Sequence, residues 1–441
     1  MKRVITVSSG KGGVGKTTFA LNFALTLSRV APTVLIDLDT GTSSVRNTLD
    51  TPVSRDLYHF FRRGERLEQC VTTLSRALDP DGLFSSFGFI AAPRHAIDEI
   101  TNLSDQARWR LIHAVNELRA SFIVLDLRAG LDANVIDFLP ISNSSVLVFT
   151  PHHPAATLAA ADIVKSLLFR KLRFIFAEES PFYRGIGDRS LYRLVNELLD
   201  QVEDVYEEGL PNLDAFLRDL LESLGENAFL HAISEVVHSF GVYFVLNMFD
   251  GVQESYDTAI APFARYLKQH VSSRLRLTNL GWVVRDDRIH QANCDRRPIL
   301  LAPSSSSRRE DPVNPVLREL AELESSVLGL PRREELRPRA SWRDEILGFD
   351  GSSPVHHQLE ILHRMYRTAG SMQVRNNFAY IAHRALHVVR SLPPEAFGQP
   401  RLVTPFEILQ EIFPPEGRSP EYLSGPEEEC GGGDAGAAPP P

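Results

Sequence analysis

The sequence predicts an α/β protein: a doubly wound, mostly parallel sheet with a helical insertion and a small α-helical C-terminal region. Two observations lead there. Seven short runs rich in Val, Ile, Leu and Phe are continuous rather than alternating in hydrophobicity, as strands covered on both faces must be, and most are separated by stretches long enough for a crossover helix. A glycine-rich loop joins the first run to an apolar-periodic helix, which is the context a phosphate-binding loop requires.

The runs are Arg3 to Val7, Thr33 to Leu38, Phe87 to Ala91, Phe122 to Leu127, Ser145 to Thr150, Val242 to Met248 and Leu277 to Val284, mostly bounded by Gly, Pro, Asp or Asn. The fourth and fifth read as a plain βαβ step. Roughly ninety residues separate the fifth from the sixth, well beyond an ordinary crossover. Within that gap "SLYRLVNELLDQVEDVYEEG" and "LDAFLRDLLESL" repeat apolar residues at helical spacing, which places an insertion at about 168–240 inside a domain of 1–330. Breakers and charges without periodicity mark a linker over 331–353. A small helical region over 354–415 follows, in which Val374, Phe378, Ile381, Ala385 and Val389 share one helix face that is expected to be buried on that region itself. Residues 416–441, ending "GGGDAGAAPPP", read as a disordered tail.

A chain of 441 residues, 43% hydrophobic and 23% charged, can bury a sizeable core. Its formal net charge of -9 excludes a protein that coats nucleic acid by bulk charge. Cys70, Cys294 and Cys430 are far apart and give neither a CxxC nor a zinc spacing, which suits a reducing compartment. No run of about eighteen apolar residues exists, and the chain opens on a strand rather than a leader. The expectation is a soluble, cytoplasmic protein.

The chemistry begins in "SSGKGGVGKTT". Gly10, four residues, then Gly15, Lys16 and Thr17 fit the phosphate-binding pattern. Glycines let the backbone amides turn inward on phosphate oxygens, and the following helix points its positive end at the same anion. Lys16 is expected to reach the β- and γ-phosphates and the Thr17 hydroxyl to hold magnesium. Asp126 ends a strand at the carboxyl edge, where a carboxylate can hold a magnesium-bound water. Gly130 would let the segment after it approach the γ-phosphate closely.

"KGGVGKTT" resembles the deviant Walker A motif of the MinD/ParA family of ATPases. The resemblance extends to "VLIDLDTG" (switch I), "FIVLDLRAG" (Walker B and switch II), "VLVFTPHHPAATLAAADIVK" and "LGWVVRDDRIHQANCDRRPILLAPSSSS", covering roughly residues 1–330 apart from the insertion. The insertion and C-terminal region look more like the FlhG subfamily than like compact MinD. What the resemblance implies is a P-loop NTPase that binds Mg-ATP through Gly10, Lys11, Gly12, Gly13, Val14, Gly15, Lys16, Thr17 and Thr18, with Asn247 at the adenine. It implies a magnesium site of Thr17, Asp39 and Asp126, with Asp39 positioning the attacking water and Asp37 supporting the loop or the metal water. It also implies slow, partner-stimulated hydrolysis. Lys11 would cross an ATP-dependent homodimer to the partner's phosphates, with the logic of a cation supplied in trans.

The sequence departs from the family at Arg128, where a proline is usual after the Walker B acid, and at Val284, another proline position, with Asp286 in register with the family's acid. The dimer would meet an activating partner and a membrane surface or nucleoid DNA, giving a peripheral location at the inner face of the membrane where the platform is lipid. The biological role expected is spatial or numerical regulation of a division site, a flagellum or a partitioned cargo. One internal segment, "KSLLFRKLRFIF", is a candidate membrane contact, but its charges scatter around the helix and a crossover helix is the better reading. Two alternatives stay open. An iron-sulfur relative would need paired cysteines that this chain lacks, and a nucleotide-binding scaffold with little turnover is compatible with Arg128. A chain ending at Gly329 is expected to fold and to bind ATP.

Overall fold

The computed structural model describes residues 3–39, 44–95, 97–131, 144–175, part of 193–200, 212–249, 255–302 and a few residues within 377–386. The linker and the tail lie outside the described residues, as does most of "SLYRLVNELLDQVEDVYEEG".

Among the described residues eight strands form one sheet: β1 (Arg3–Ser8), β2 (Thr33–Asp37), β3 (Thr72–Thr73), β4 (Phe87–Ile90), β5 (Phe122–Asp126), β6 (Ser144–Phe149), β7 (Gly241–Phe249) and β8 (Arg276–Val284). Their order is β3-β4-β2-β5-β1-β6-β7-β8, parallel throughout except for the antiparallel pairing of β3 with β4. All seven runs read from the sequence are strands. The step from β5 to β6 is not between neighbours, because β1 lies between them and pairs with both.

Alternate residues of each central strand enter opposite cores, which is why the runs are continuous in hydrophobicity. Ile5 and Val7 of β1 and Val124 of β5 face one layer, while Val4, Ile123 and Leu125 face the other. The first layer is built around α1 (Lys16–Ser28), a helix buried along nearly its whole length. The second holds α5 (Asp105–Glu117), α6 (Pro154–Ile175), α7 (Leu213–Leu224), α8 (Ala228–Ser239) and α9 (Ala261–His270). Between α1 and α5 lie the shorter α2 (Ser44–Thr48), α3 (Leu57–Arg63) and α4 (Asp98–Thr101), and α10 (Asp287–Cys294) follows β8.

The segment "KSLLFRKLRFIF" runs into the C-terminal half of α6, where Leu168, Phe169 and Leu172 are fully buried. That burial removes them from any lipid surface. No helix among the described residues is long and apolar enough to cross a membrane. The inserted helix α7 is locked to the rest of the domain at its start. Asn212 caps it by accepting from the Ala215 amide at 3.0 Å and donates to the Gln269 carbonyl at 3.2 Å, and Asp214 accepts from the Ser272 hydroxyl at 2.6 Å.

Of the apolar face read in the C-terminal region, Phe378, Ile381 and Ala385 lie among the described residues, while Val374 and Val389 lie outside them. Phe378, Ile381, Ala382 and Ala385 are buried in the α1 layer of the sheet, with the Phe378 ring 6.2 Å from that of Phe19. Asn377 accepts from the amide of Val284, the last residue of β8, at 3.2 Å. Among the described residues, that part of the face packs on α1 and sits beside the end of β8. Periodicity identifies an apolar face but not the surface that meets it.

Candidate functional site

The carboxyl ends of the parallel strands meet at one edge, and the loop from β1 to α1 crosses it near the middle of the sheet. Gly13 and Gly15 adopt φ of 83° and 80°, in the left-handed region that glycine enters without a Cβ penalty. Gly15 is the N-cap of α1, and no acid occupies the first turn to compete for its free amides. Two glycines have a second reason to be there. A Cβ on Gly10 would stand 2.3 Å from the backbone of Ala159 in α6, and one on Gly15 would stand 2.3 Å from the Asn247 side-chain nitrogen. The loop is thus pressed between α6 and the end of β7.

Asn247, read from the resemblance as an adenine contact, donates its Nδ2 to the Val14 carbonyl at 2.7 Å and is buried. Its amide braces the phosphate loop. The segment after β5 is fixed to the same loop: Gly130, at φ 104°, donates its amide to the Ser9 carbonyl at 2.9 Å. The Ser9 hydroxyl in turn donates to the Lys11 carbonyl at 3.1 Å, pinning that backbone while the Lys11 side chain stays exposed. Gly12 has open space around it.

The acids gather beside the loop because β2 and β5 are neighbours in register, which sets Asp37 opposite Asp126. Both are fully buried. Lys16 Nζ lies 2.5 Å from Asp126 Oδ1 and is itself 6% exposed. The other Asp126 oxygen, Oδ2, is buried without a hydrogen-bond partner. Asp37 accepts from the Asp39 amide through Oδ1 and from the Val45 amide through Oδ2, each at 3.1 Å. Those two bonds tie Asp37 to the backbone that follows β2, and Asp39 stands half-buried beside it.

Burial, with the Asp126 charge next in size, pushes the Asp37 carboxyl up to about 8 from its ordinary 3.8. The folded chain therefore keeps a proton at Asp37 that the unfolded chain has already released. Stability from this group is fully present below the ordinary value and is lost as pH rises towards ~8. The melting midpoint without nucleotide is expected to fall between pH ~6 and pH ~8, and Asp37→Asn is expected to flatten that slope. An unchanged slope in the variant would assign the titration to another group.

Thr17 and Thr18 are half-buried in the first turn of α1. Thr18 Oγ1 accepts from Asn293 Nδ2 of α10 at 3.1 Å. Arg128 is exposed just beyond Asp126. Asp286 caps α10, accepting from the Arg288 amide at 2.8 Å, and the hydrogen bonds from Arg288 hold its carboxyl below the usual range. Sequence reasoning did not single out Asn293 or Arg296, which act between segments far apart in the chain and are marked only as members of the stretch "LGWVVRDDRIHQANCDRRPILLAPSSSS".

The residues present fit magnesium and a nucleotide phosphate. Two buried carboxylates face one lysine, one carboxylate oxygen is without a partner, and the loop glycines leave backbone amides free of side chains. Thr17 and Asp126 would hold the ion, with Asp39 beside them. When bound, the ion supplies positive charge to the phosphate oxygens.

The chain is similar in sequence to known proteins. A family model for AAA domains matches residues 2–167. A MinD-type septum site-determining protein of Nephroselmis olivacea is 31% identical over 224 residues, 49% of this chain and 74% of its own. The septum site-determining protein MinD of Synechocystis is 30% identical over 186 residues, 39% of this chain and 66% of its own. A Chlorella vulgaris relative of the same type is 32% identical over 38% of this chain and 57% of its own length. The matched part thus spans between about half and three quarters of these relatives. The solved structure of the cell division ATPase MinD from Pyrococcus furiosus aligns with 70% of this chain and 93% of its own, at 15% identity and a TM-score of 0.41.

Proposed function

The chain belongs to the MinD/ParA family of ATPases, and we propose that it binds Mg-ATP at the β1–α1 loop, hydrolyses it slowly and uses the bound nucleotide to switch between monomer and sandwich dimer. The observation that carries this reading is the division of labour between two lysines on one loop. Lys16 is buried against Asp126, where it can neutralise phosphate charge within its own site. Lys11 is exposed, with its backbone pinned by Ser9, so it is free to serve a site on a second copy.

Asp39 orients the attacking water, with its position set by the Asp37 carboxylate that accepts from its amide. Lys16 and the amides at the start of α1 carry the charge that develops on the γ-phosphate. Lys11 adds a second cation only when two copies meet, which couples turnover to dimerisation. The dimer would present a composite surface to an activating partner at a membrane or nucleoid platform. The relatives named for septum-site determination support a role in the spatial regulation of a cellular structure, with the division site first among the candidates.

Sedimentation velocity with Mg-ATP tests this, using Asp39→Ala to block hydrolysis. Asp39→Ala is expected to bind ATP, lose turnover and sediment as a dimer, and the further change Lys11→Ala is expected to return it to a monomer that still binds ATP. Normal dimerisation without Lys11 would refute the trans-lysine model. Equal turnover in wild type and Asp39→Ala, with ATP bound in both, would favour the scaffold reading.

A further inference from the structure

We propose that Arg296 is a positioning residue that links the phosphate-loop edge of the sheet to Asp37 and Asp39 through the helix α2. The starting observation is its backbone. Arg296 has φ 54°, and among the described residues only Met248 is another non-glycine at positive φ. A side-chain-bearing residue stays in that region only when its surroundings hold it there.

The surroundings in question are the C-terminal end of α2. Arg296 Nη2 donates to the Leu49 carbonyl at 3.0 Å and to the Arg46 carbonyl at 3.3 Å, and Nη1 lies 3.3 Å from Asp50 Oδ1. The Arg296 carbonyl accepts from the Asp50 amide at 2.9 Å. Side chain and backbone therefore both close on carbonyls and charge that a helix C-terminus leaves unsatisfied. At the other end of α2, the Val45 amide donates to Asp37 Oδ2, and Asp37 Oδ1 accepts from the Asp39 amide.

The segment that carries Arg296 is also tied to α1. It leaves α10, which begins just after β8 reaches the ligand edge of the sheet. Asn293 donates to Thr18 Oγ1 at 3.1 Å, and the Leu300 amide donates to Asn22 Oδ1 at 3.4 Å. One continuous set of contacts thus runs from the first turn of α1, through Asn293 and Arg296, along α2, to the two acids. The Arg296 side chain is 48% exposed and that of Asp50 is 68% exposed, so their ion pair adds little to stability. The guanidinium fixes where α2 sits.

The inference rests on the ATPase reading, and its test separates the two. Arg296→Asn keeps a residue that tolerates the left-handed backbone but cannot span the two carbonyls. Arg296→Lys keeps the charge without the fork. Hydrogen exchange is followed over residues 44–50 with and without Mg-ATPγS, alongside steady-state kinetics. Arg296→Asn is expected to speed exchange in α2 by about tenfold and to remove its protection by nucleotide. It is also expected to lower kcat about fivefold while the KM for ATP and the melting midpoint stay nearly constant, with Arg296→Lys in between.

Unchanged α2 exchange in Arg296→Asn overturns the proposal whatever the turnover. Equal losses of ATP affinity and melting midpoint overturn it too, by making the role merely structural. Absence of turnover in the wild type would sink the ATPase reading alone, and exchange would still decide the role of Arg296.

Discussion

Lys16→Ala is expected to abolish nucleotide binding and to destabilise the folded chain by about 3–5 kcal/mol, the usual result of leaving a buried charge without its partner. The two losses have one origin. The β2–β5 register sets two fully buried carboxylates side by side, and Lys16 is the cation placed against them, 2.5 Å from Asp126. Without it the charge that remains on the Asp37–Asp126 pair, which already holds one proton near neutral pH, is left unpaired in a dry site, and taking up a second proton becomes the cheaper state. The destabilisation should therefore be smaller at pH ~5 than at pH ~7, because protonation does what the lysine no longer does. Adding Asp126→Asn to Lys16→Ala should recover much of the stability and none of the binding. Calorimetric titration with Mg-ATP and denaturant unfolding at the two pH values measure both effects. Tight ATP binding by Lys16→Ala would sink the phosphate-loop assignment, and full stability would sink the reading of the buried pair.

The central strands could be read from the sequence because burial on both faces forces runs such as "FIVLDL" and "VLIDLD" to be apolar at every position, with an Asp where each reaches the ligand edge. β3 could not, since two threonines carry no such pattern and become a strand only by pairing with β4. The phosphate loop was equally plain, but the reason for two of its glycines was only partly so. Spacing points to the phosphate, whereas the closeness of Ala159 to Gly10 and of Asn247 to Gly15 arises from α6 and β7 folding back over the loop. Asn247 shows the limit most clearly: its hydrogen bond to Val14, 233 positions away, leaves no mark in the sequence, where a strand-end asparagine looks the same with or without it. The Asp37–Asp126 pairing depends on strand order in the same way. "DLD" shows two acids, and only the adjacency of β2 and β5 adds the third.

Phe378→Ala is expected to cost about 3 kcal/mol, and ending the chain at Gly329 to cost more, even though the sequence alone suggested that such a chain would fold unaided. Phe378 is 1% exposed and Ile381 is fully buried, and both pack in the layer that holds Phe19 and Phe23 of α1. Filling that surface with large apolar side chains contributes roughly 1.5–3 kcal/mol each. Truncation would also remove Asn377 from the Val284 amide at the end of β8, and would uncover an apolar patch of the kind that drives aggregation. None of these residues touches Lys16, Asp126 or Asp37 in the contacts that define the site. The loss in Phe378→Ala should therefore appear in the unfolding midpoint, while ATP bound per folded molecule stays at the wild-type level. Urea unfolding followed by tryptophan fluorescence, with nucleotide titration below the transition, separates the two quantities. A chain ending at Gly329 that unfolds at the wild-type midpoint would show that the C-terminal residues lie on the α1 layer without stabilising it. Reduced ATP binding in folded Phe378→Ala would mean instead that the packing of Phe378 on Phe19, one turn of α1 beyond Lys16, sets the geometry of the phosphate loop.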